Sequence, residues 1–383
     1  MQRVLLALTF ALAAVRPAFA QAPVSVHVVE KIDIVSAVRG GEDRRARVLD
    51  NLDILGDADL ERLVGWQGAS AHVHVLNNLG ASPNNQIGTL QGIDNIEVAG
   101  HRLHVFEAWV QQQFGERTSV RAGLYDLNSE FYVNGAAGEL IAPAFGVGSE
   151  LSATGVNGPS IFPSTALSIR VEQRLGKAGY VRAALLNATA GCPGEPNGVD
   201  FRFDNGLLGI GEIGIERSGL KLAAGYWRYT KPQEDFTETD ADGVPLRRHA
   251  QGAYVVAELR VAGSDDLRSL TLFARAGVSE GKTTPYTGGW QAGAFVERLI
   301  PGRPDSTLSL GLNQGLTTKG YRAALMADGL PPARAETALE LAYSDKLAPW
   351  LSIKPDLQLI FDSGSVDRTP TVVVAALRTT LSF

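Results

Sequence analysis

Apolar and polar residues alternate along most of this chain with a period of two, the spacing of a strand that turns one face to an apolar phase. The first clear run is 24–38. Val24, Val26, Val28, Ile32, Ile34 and Val38 share one face, and Ser25, His27, Lys31 and Asp33 the other. Residues 40–43 break the run, and 45–54 resumes it with Arg45, Arg47, Asn51 and Asp53 on one face. Segment 57–63 reads as a single helical turn with Asp57 at its N-cap. A strand at 66–76 follows, with His72 and His74 on its polar face, then an Asn- and Gly-rich loop at 77–100. Strands are expected again at 101–114, 117–125, 165–175, 178–187, 206–217, 219–230, 249–261, 268–279, 289–299, 306–313, 334–345, 350–361 and 371–383, about 16 in all. The register of 219–230 is ambiguous, because Tyr226, Trp227, Arg228 and Tyr229 run together.

The connections alternate in length. Residues 115–116, 176–178 and 218–219 are tight turns; 126–164, 188–205, 231–248 and 314–333 are long loops. Short turns on one side and long loops on the other are the pattern of an outer-membrane barrel, with both chain ends on the short-turn side. A two-sheet sandwich in water also alternates, but it hides its apolar faces and needs fewer strands in one register. The predicted fold is therefore all-β: a transmembrane antiparallel β-barrel of about 16 strands, with a long inserted loop forming a constriction.

The two faces of each strand sharpen this. In 371–383, Val373, Ala375, Leu377, Leu381 and Phe383 oppose Arg378; in 350–361, Leu351, Ile353, Leu357, Leu359 and Phe361 oppose Lys354, Asp356 and Gln358. Leu270, Leu272, Ala274, Ala276 and Val278 oppose Arg275, and Leu167, Ile169 and Val171 oppose Arg170 and Glu172. The apolar faces carry almost no charge, as expected where a charge against lipid costs ~2–4 kcal/mol near the midplane. Pro355 stands out, since it removes a ladder donor from a strand interior. The closing Phe383, on the apolar face of an alternating last strand, suits insertion of an outer-membrane barrel.

Segment 126–164 is too long for an ordinary turn. It is also too aromatic for a flexible linker, with Phe131, Tyr132, Phe145 and Phe162 along it. It reads as an ordered loop folded into the lumen, with Glu130 and Phe131 reaching across.

Composition narrows the class. Arg3, an apolar run from Val4 to Val15 and Ala18-Phe19-Ala20 make residues 1–20 a secretory signal peptide cleaved before Gln21, leaving 21–383 as one outer-membrane β-barrel porin domain. The mature chain then has 33 basic against 41 acidic residues, a net charge of −8, which disfavours a nucleic-acid partner. Cys192 is the only cysteine, so no disulfide staples the exported chain. No GxSxG elbow, HExxH or Cys/His metal spacing is present. The glycine-rich run from Gly209 to Gly214 lies in strand-like alternation and reads as small residues on a barrel wall. No cofactor is expected. His72 and His74 would bind a metal only with a third ligand, and are read as a solvated lumen pair.

The polar face supplies the candidate chemistry. Arg121, Arg170, Arg182, Arg275 and Arg378 face the lumen, as do Glu107, Glu172, Glu258, Glu336 and Glu340. The candidate pore-lining, solute-binding set is Glu107, Arg121, Glu130, Phe131, Arg170, Arg182, Glu258, Arg275 and Arg378. Mixed guanidinium donors and carboxylate acceptors beside aromatic faces suit neutral polyhydroxyl solutes. A general or anion-selective porin is the nearest rival. A barrel hydrolase using His72 or His104, or a plugged structural barrel, is a further alternative.

The chain resembles the carbohydrate-selective porins of Gram-negative outer membranes, the OprB family. The resemblance rests on RAGLYDLNSEF (121–131), NGPSIFP (157–163), Gly65-Trp66, LAPWLSIKPDLQ (347–358) and LRTTLSF (377–383), in that family's order. It implies a barrel of sixteen strands in outer-membrane lipid, passive diffusion of carbohydrate solutes, and an eyelet lined by Arg, Glu and aromatics. Pro355 falls within a stretch typical of the family. The basic cluster Arg44, Arg45 and Arg47 departs from the family pattern. Porins occur as monomers and as homotrimers, and both remain open.

Overall fold

The structure is a computed structural model that describes residues 22–383 except 101, 193, 196 and 265. The expected leader at 1–20 lies outside the described residues. Strands β1 (Val24–Arg39), β2 (Arg47–Asp59), β3 (Ala69–Gly80), β4 (Arg102–Phe114), β5 (Thr118–Tyr125), β6 (Ala166–Leu175), β7 (Gly179–Asn187), β8 (Leu207–Arg217) and β9 (Leu220–Tyr229) form the first part of the wall. A small hairpin, β10 (Gln233–Thr239) and β11 (Pro245–Arg248), sits apart in the next loop. The wall resumes with β12 (Gln251–Ala262), β13 (Ser269–Ser279), β14 (Tyr286–Glu297), β15 (Thr307–Thr317), β16 (Ala335–Ala348), β17 (Leu351–Phe361) and β18 (Val372–Ser382). Each wall strand pairs antiparallel with its neighbours, and β1 pairs with β18, so 16 strands close a barrel with no free edge. At the seam, Phe383 and Val28 exchange both backbone hydrogen bonds, at 2.9 and 3.1 Å.

No helix of the described residues is long and apolar enough to cross a membrane. The outward faces are the apolar ones anticipated above, Val26, Ile169, Ile213, Leu272 and Leu377 among them. Phe114, Trp66, Trp350 and Phe383 are exposed at the short-turn end, where an aromatic girdle meets the membrane interface. In β9 the alternation settles with Trp227 and Tyr229 inward and buried, and Tyr226 and Arg228 outward near the long-loop end. The run from Gly209 to Gly214 is wall, as expected, with Ile210 and Glu212 turned inward. Pro355 faces outward. The ladder to β16 is interrupted there: Ala342 pairs with Asp356 and Asp345 with Ile353, and the two positions between are unpaired.

Several boundaries differ from the expectation. Strand β2 runs on to Asp59, whose side chain caps helix α1 (Leu60–Val64) by accepting from the Arg62 N–H at 3.1 Å. Asp57 is therefore a strand residue and not the N-cap. Strand β3 starts at Ala69 and not at 66, and it continues through Asn77 and Asn78 to Gly80. Those asparagines read as loop formers, yet Asn78 donates across the wall to Asn51 at 2.8 Å. A bulge in β4 shifts its pairing with β3 between His74 and Val75, which brings Phe106 and Glu107 both to the inner side.

Candidate functional site

Two segments from the long-loop end fold into the lumen. The first is 126–164. Its base is pinned where Ser160 donates to the Tyr125 carbonyl at 2.7 Å and Leu127 N–H donates to the Ser160 carbonyl at 2.9 Å. From there it lies against the inner face of β8 to β16. A loop in that position must satisfy its own backbone groups away from bulk water. The wall does this by charge. Glu212 accepts from Tyr132 N–H at 2.9 Å, Glu258 from Ala136 N–H at 3.3 Å, and Glu340 from Ile141 and Ala142 N–H. Arg275, buried, donates to the carbonyls of Tyr132, Gly146 and Ala144 at 2.9, 2.7 and 2.7 Å. Carboxylates take the loop's N–H groups, and a guanidinium takes its carbonyls.

Packing reinforces the match. Tyr132 adopts φ 61°, a strained value for a non-glycine residue. It is held there from several sides: its hydroxyl donates to Glu150 at 2.7 Å and its ring stacks on Tyr254 with centroids 3.8 Å apart. The wall is glycine where the loop comes closest. A Cβ at Gly277 would strike the Glu150 carboxylate and the Tyr132 hydroxyl, and one at Gly311 would strike Leu140 and Phe145. Burial pushes the Glu150 carboxyl above its ordinary range, against the opposing hydrogen bond from Tyr132.

The second inward segment, between β3 and β4, was expected only as a polar loop. It carries helix α2 (Asn84–Ile87), and Ile87, Ile93 and Ile96 pack against Val35, Leu49, Ile360, Val372 and Val374 of the wall. Each isoleucine so buried contributes about 1.5–3 kcal/mol. Glu336 accepts from Leu90 and Gln91 N–H at 2.8 and 2.9 Å. Arg378 grips Asp33 with two nitrogens, at 2.9 and 2.6 Å, and reaches Asn95 at 2.7 Å. The signal in the sequence was three isoleucines in an otherwise polar stretch.

Between loop and wall lies a charge cluster. Arg121 on β5 and Arg170 on β6 are direct cross-strand partners, an arrangement that is unfavourable alone. Glu130 of the loop sits between them, in a bidentate pair with Arg170 at 2.8 and 2.7 Å and 3.8 Å from Arg121. Burial alone would raise the Glu130 carboxyl, but the charges of Arg121 and Arg170 outweigh it and hold it below its ordinary range. Arg182 donates to the Glu130 carbonyl at 2.6 Å and lies 3.2 Å from Glu172. Arg121 also stacks over Trp109, 3.8 Å from the ring centre.

An open space lies between the two inward segments and the wall strands β1–β4, β17 and β18. It is a cavity of ≈ 770 Å³, bordered by Lys31, Asp53, His74, Asn95, Asp126 and Arg378, with the rings of Phe106 and Phe162 beside them. Lys31 and Asp53 pair at 2.8 Å. Burial, and then the charge of Glu107, raise the Asp126 carboxyl to about 8. Burial raises Glu97, in the second segment, to about 7. A second cavity of ≈ 510 Å³ lies below the long loop and is bordered by Glu130, Glu172, Arg182, Lys221 and Glu258.

The structure thus distributes the nine candidate residues. Glu130, Arg182, Glu258 and Arg378 border open space. Arg121, Arg170 and Glu107 sit one layer back, holding Glu130, Trp109 and Asp126. Arg275 is buried beneath the loop, and Phe131 is wholly buried in the cluster with Leu127, Tyr180 and Trp227. Lys31, Asp53, His74, Asn95 and Asp126 border the main opening and were not among the nine. The first three stood on polar strand faces, but nothing in the alternation ranked them above the arginines.

A closed 16-strand barrel with an apolar outside, a polar lumen and loops folded inward to narrow it is an outer-membrane channel. Comparison with known proteins places it more finely. The family described as carbohydrate-selective porin, OprB family, matches residues 43–383, and the chain belongs to that family. It is an outer-membrane porin for carbohydrates. Porin B of Pseudomonas aeruginosa is 22% identical, over 88% of this chain and 82% of that protein. The high-pH structure of Pseudomonas putida OprB superposes with a TM-score of 0.83 at 20% identity, covering 94% of each chain. The outer membrane channel DcaP of Acinetobacter baumannii shares the fold at a TM-score of 0.59 and 11% identity, over 97% of this chain and 100% of that one.

Proposed function

We propose that mono- or small oligosaccharides pass through this barrel by diffusion alone, with no bond made or broken, and that the ≈ 770 Å³ cavity is the eyelet they cross. The observation that carries this is the make-up of its border. Lys31, Asp53, Asn95, Asp126 and Arg378 supply donors and acceptors of both signs, and Phe106 and Phe162 supply flat apolar faces. A sugar can exchange water hydrogen bonds for these one at a time, weakly enough to leave again. Of the nine candidate residues, Glu130, Arg182, Glu258 and Arg378 meet solute. Arg121, Arg170, Arg275, Glu107 and Phe131 keep the loop in place. The chain exported as 21–383, after loss of residues 1–20, is the working channel.

The test is single-channel recording in planar bilayers with a panel of mono- and disaccharides. Added sugar is expected to reduce ion current in a concentration-dependent way, more for some sugars than others, and to be recovered chemically unchanged. A current that no sugar reduces would sink the eyelet reading.

A further inference from the structure

We propose that His72, His74 and Glu107 form a binding site for a borderline divalent transition metal, of the zinc or copper type, on the inner wall of the barrel. One ligand atom from each of the three lies within 4.8 Å of the others. The two histidines are two positions apart on β3 and so share its inner face. Glu107 pairs directly with His74 across the β3–β4 ladder, and it reaches the inner side because of the bulge there.

The supporting contacts are those a metal site needs. A ligating imidazole is oriented by a partner on its other nitrogen, commonly a carboxylate. His72 Nδ1 bonds Asp57 at 2.8 Å, and His74 Nε2 bonds Asp53 at 2.9 Å. With those protons given to the carboxylates, the lone pairs fall on His72 Nε2 and His74 Nδ1. Trp109 stacks on the His72 ring, centroids 5.0 Å apart, and Phe106 sets the His74 ring edge-on at 5.1 Å. Glu107 has the same division. Its Oε1 accepts from Trp109 Nε1 at 3.3 Å and Asp126 N–H at 3.1 Å, which leaves Oε2 with no hydrogen bond among the described residues. Each of the three side chains is thus held by one atom and offers another.

A tetrahedral ion with ~2.1 Å bonds would draw these atoms to about 3.4 Å apart and leave a fourth position for water. Two imidazoles and a carboxylate suit zinc, copper or nickel better than calcium or magnesium. His74 borders the main cavity, so an ion reaches the site from the lumen.

The test is calorimetric titration of the refolded full-length barrel in detergent with Zn²⁺. We expect saturable binding of about one ion per chain. H72Q and H74Q should each abolish it or weaken it strongly. D57N removes an orienting carboxylate and no ligand, and it should weaken binding by roughly 10–100-fold. H249Q, remote from the triad, should bind as the parent does. Each variant is first checked for folding by its heat-modifiable mobility, and D57N carries the test if a histidine variant fails. No saturable zinc uptake, or uptake unchanged in H72Q, H74Q and D57N, would overturn the proposal.

Discussion

Arg275 offers the sharpest test of how the constriction is held. Its guanidinium is buried under segment 126–164, and its hydrogen bonds go to three loop carbonyls, those of Tyr132, Ala144 and Gly146. It also lies 4.7 Å from the Tyr132 ring centre. A hydrogen bond from a charged donor is worth roughly 1.5–3 kcal/mol, so three amount to about 4.5–9 kcal/mol of loop docking if they add. Neighbours in one network do not add fully, so the lower end is the safer expectation. Arg275→Ala removes all of it and leaves the Tyr132 and Ala144 carbonyls without a side-chain donor, while Gly146 keeps the one from Asn128 at 3.2 Å. Glu212, Glu258 and Glu340 still hold the loop's N–H groups, so the barrel should fold and the loop should loosen. The expected result is a higher single-channel ion conductance, weaker sugar block and faster protease cleavage within 126–164. Arg275→Lys keeps the charge but loses the planar fork, and should fall between. Wild-type conductance together with wild-type protease resistance in Arg275→Ala would refute the account of loop docking.

Three further outcomes follow from the same contacts. Glu130→Gln removes the negative charge between Arg121 and Arg170, so the zero-current potential in a salt gradient should shift towards anion selectivity; an unmoved potential would count against Glu130 as their counter-ion. Gly277→Val puts methyl groups where Glu150 and Tyr132 now lie, so it should displace the loop and alter conductance while the strand content seen by circular dichroism stays the same. Asp126 at about 8 and Glu97 at about 7 are raised by burial, with Glu107 adding to the first, so both are largely neutral in mild acid and gain negative charge as pH rises. Cation selectivity should therefore increase between roughly pH 6 and pH 9, and Asp126→Asn should flatten the upper part of that rise.

Much of this fold could be read from alternation, because lipid enforces it. An outward charge is costly, so the outer face repeats strictly and reveals strand number and facing together. The same argument explains what stayed hidden. Inner-wall residues face no single phase, and their role depends on which loop folds over them. Val35, Ile360 and Val374 are apolar and inward because Ile93 and Ile96 pack on them, a contact between residues far apart in sequence. The β4 bulge at Phe106 and Glu107 is a matter of pairing count, and no composition announces it. Asn77 and Asn78 read as a loop because their partner Asn51 lies on another strand. For the candidate site, the polar face identified which residues point inward. It could not tell those that meet open space from those spent on loop backbone.

That distinction bears on the kind of solute the pore accepts. Counted along the sequence, the inner wall carries a row of arginines, and such a row alone would favour anions. The contacts remove most of that charge from the opening. Arg170 is matched by Glu130, Arg182 by Glu172 and Arg378 by Asp33, while Arg275 donates to backbone carbonyls beneath the loop. Glu336, Glu340 and Glu212 are likewise turned to loop N–H groups. The charges bordering the cavity are of both signs, Lys31, Lys354 and Arg378 against Asp53, Asp94, Glu97 and Asp126, and Lys31 and Asp53 are paired with each other. An opening of that kind has little to offer an ion by field alone and much to offer a solute with many hydroxyls. The wall's charges are thus spent mainly on holding the inward loops, and the groups bordering the opening carry both signs.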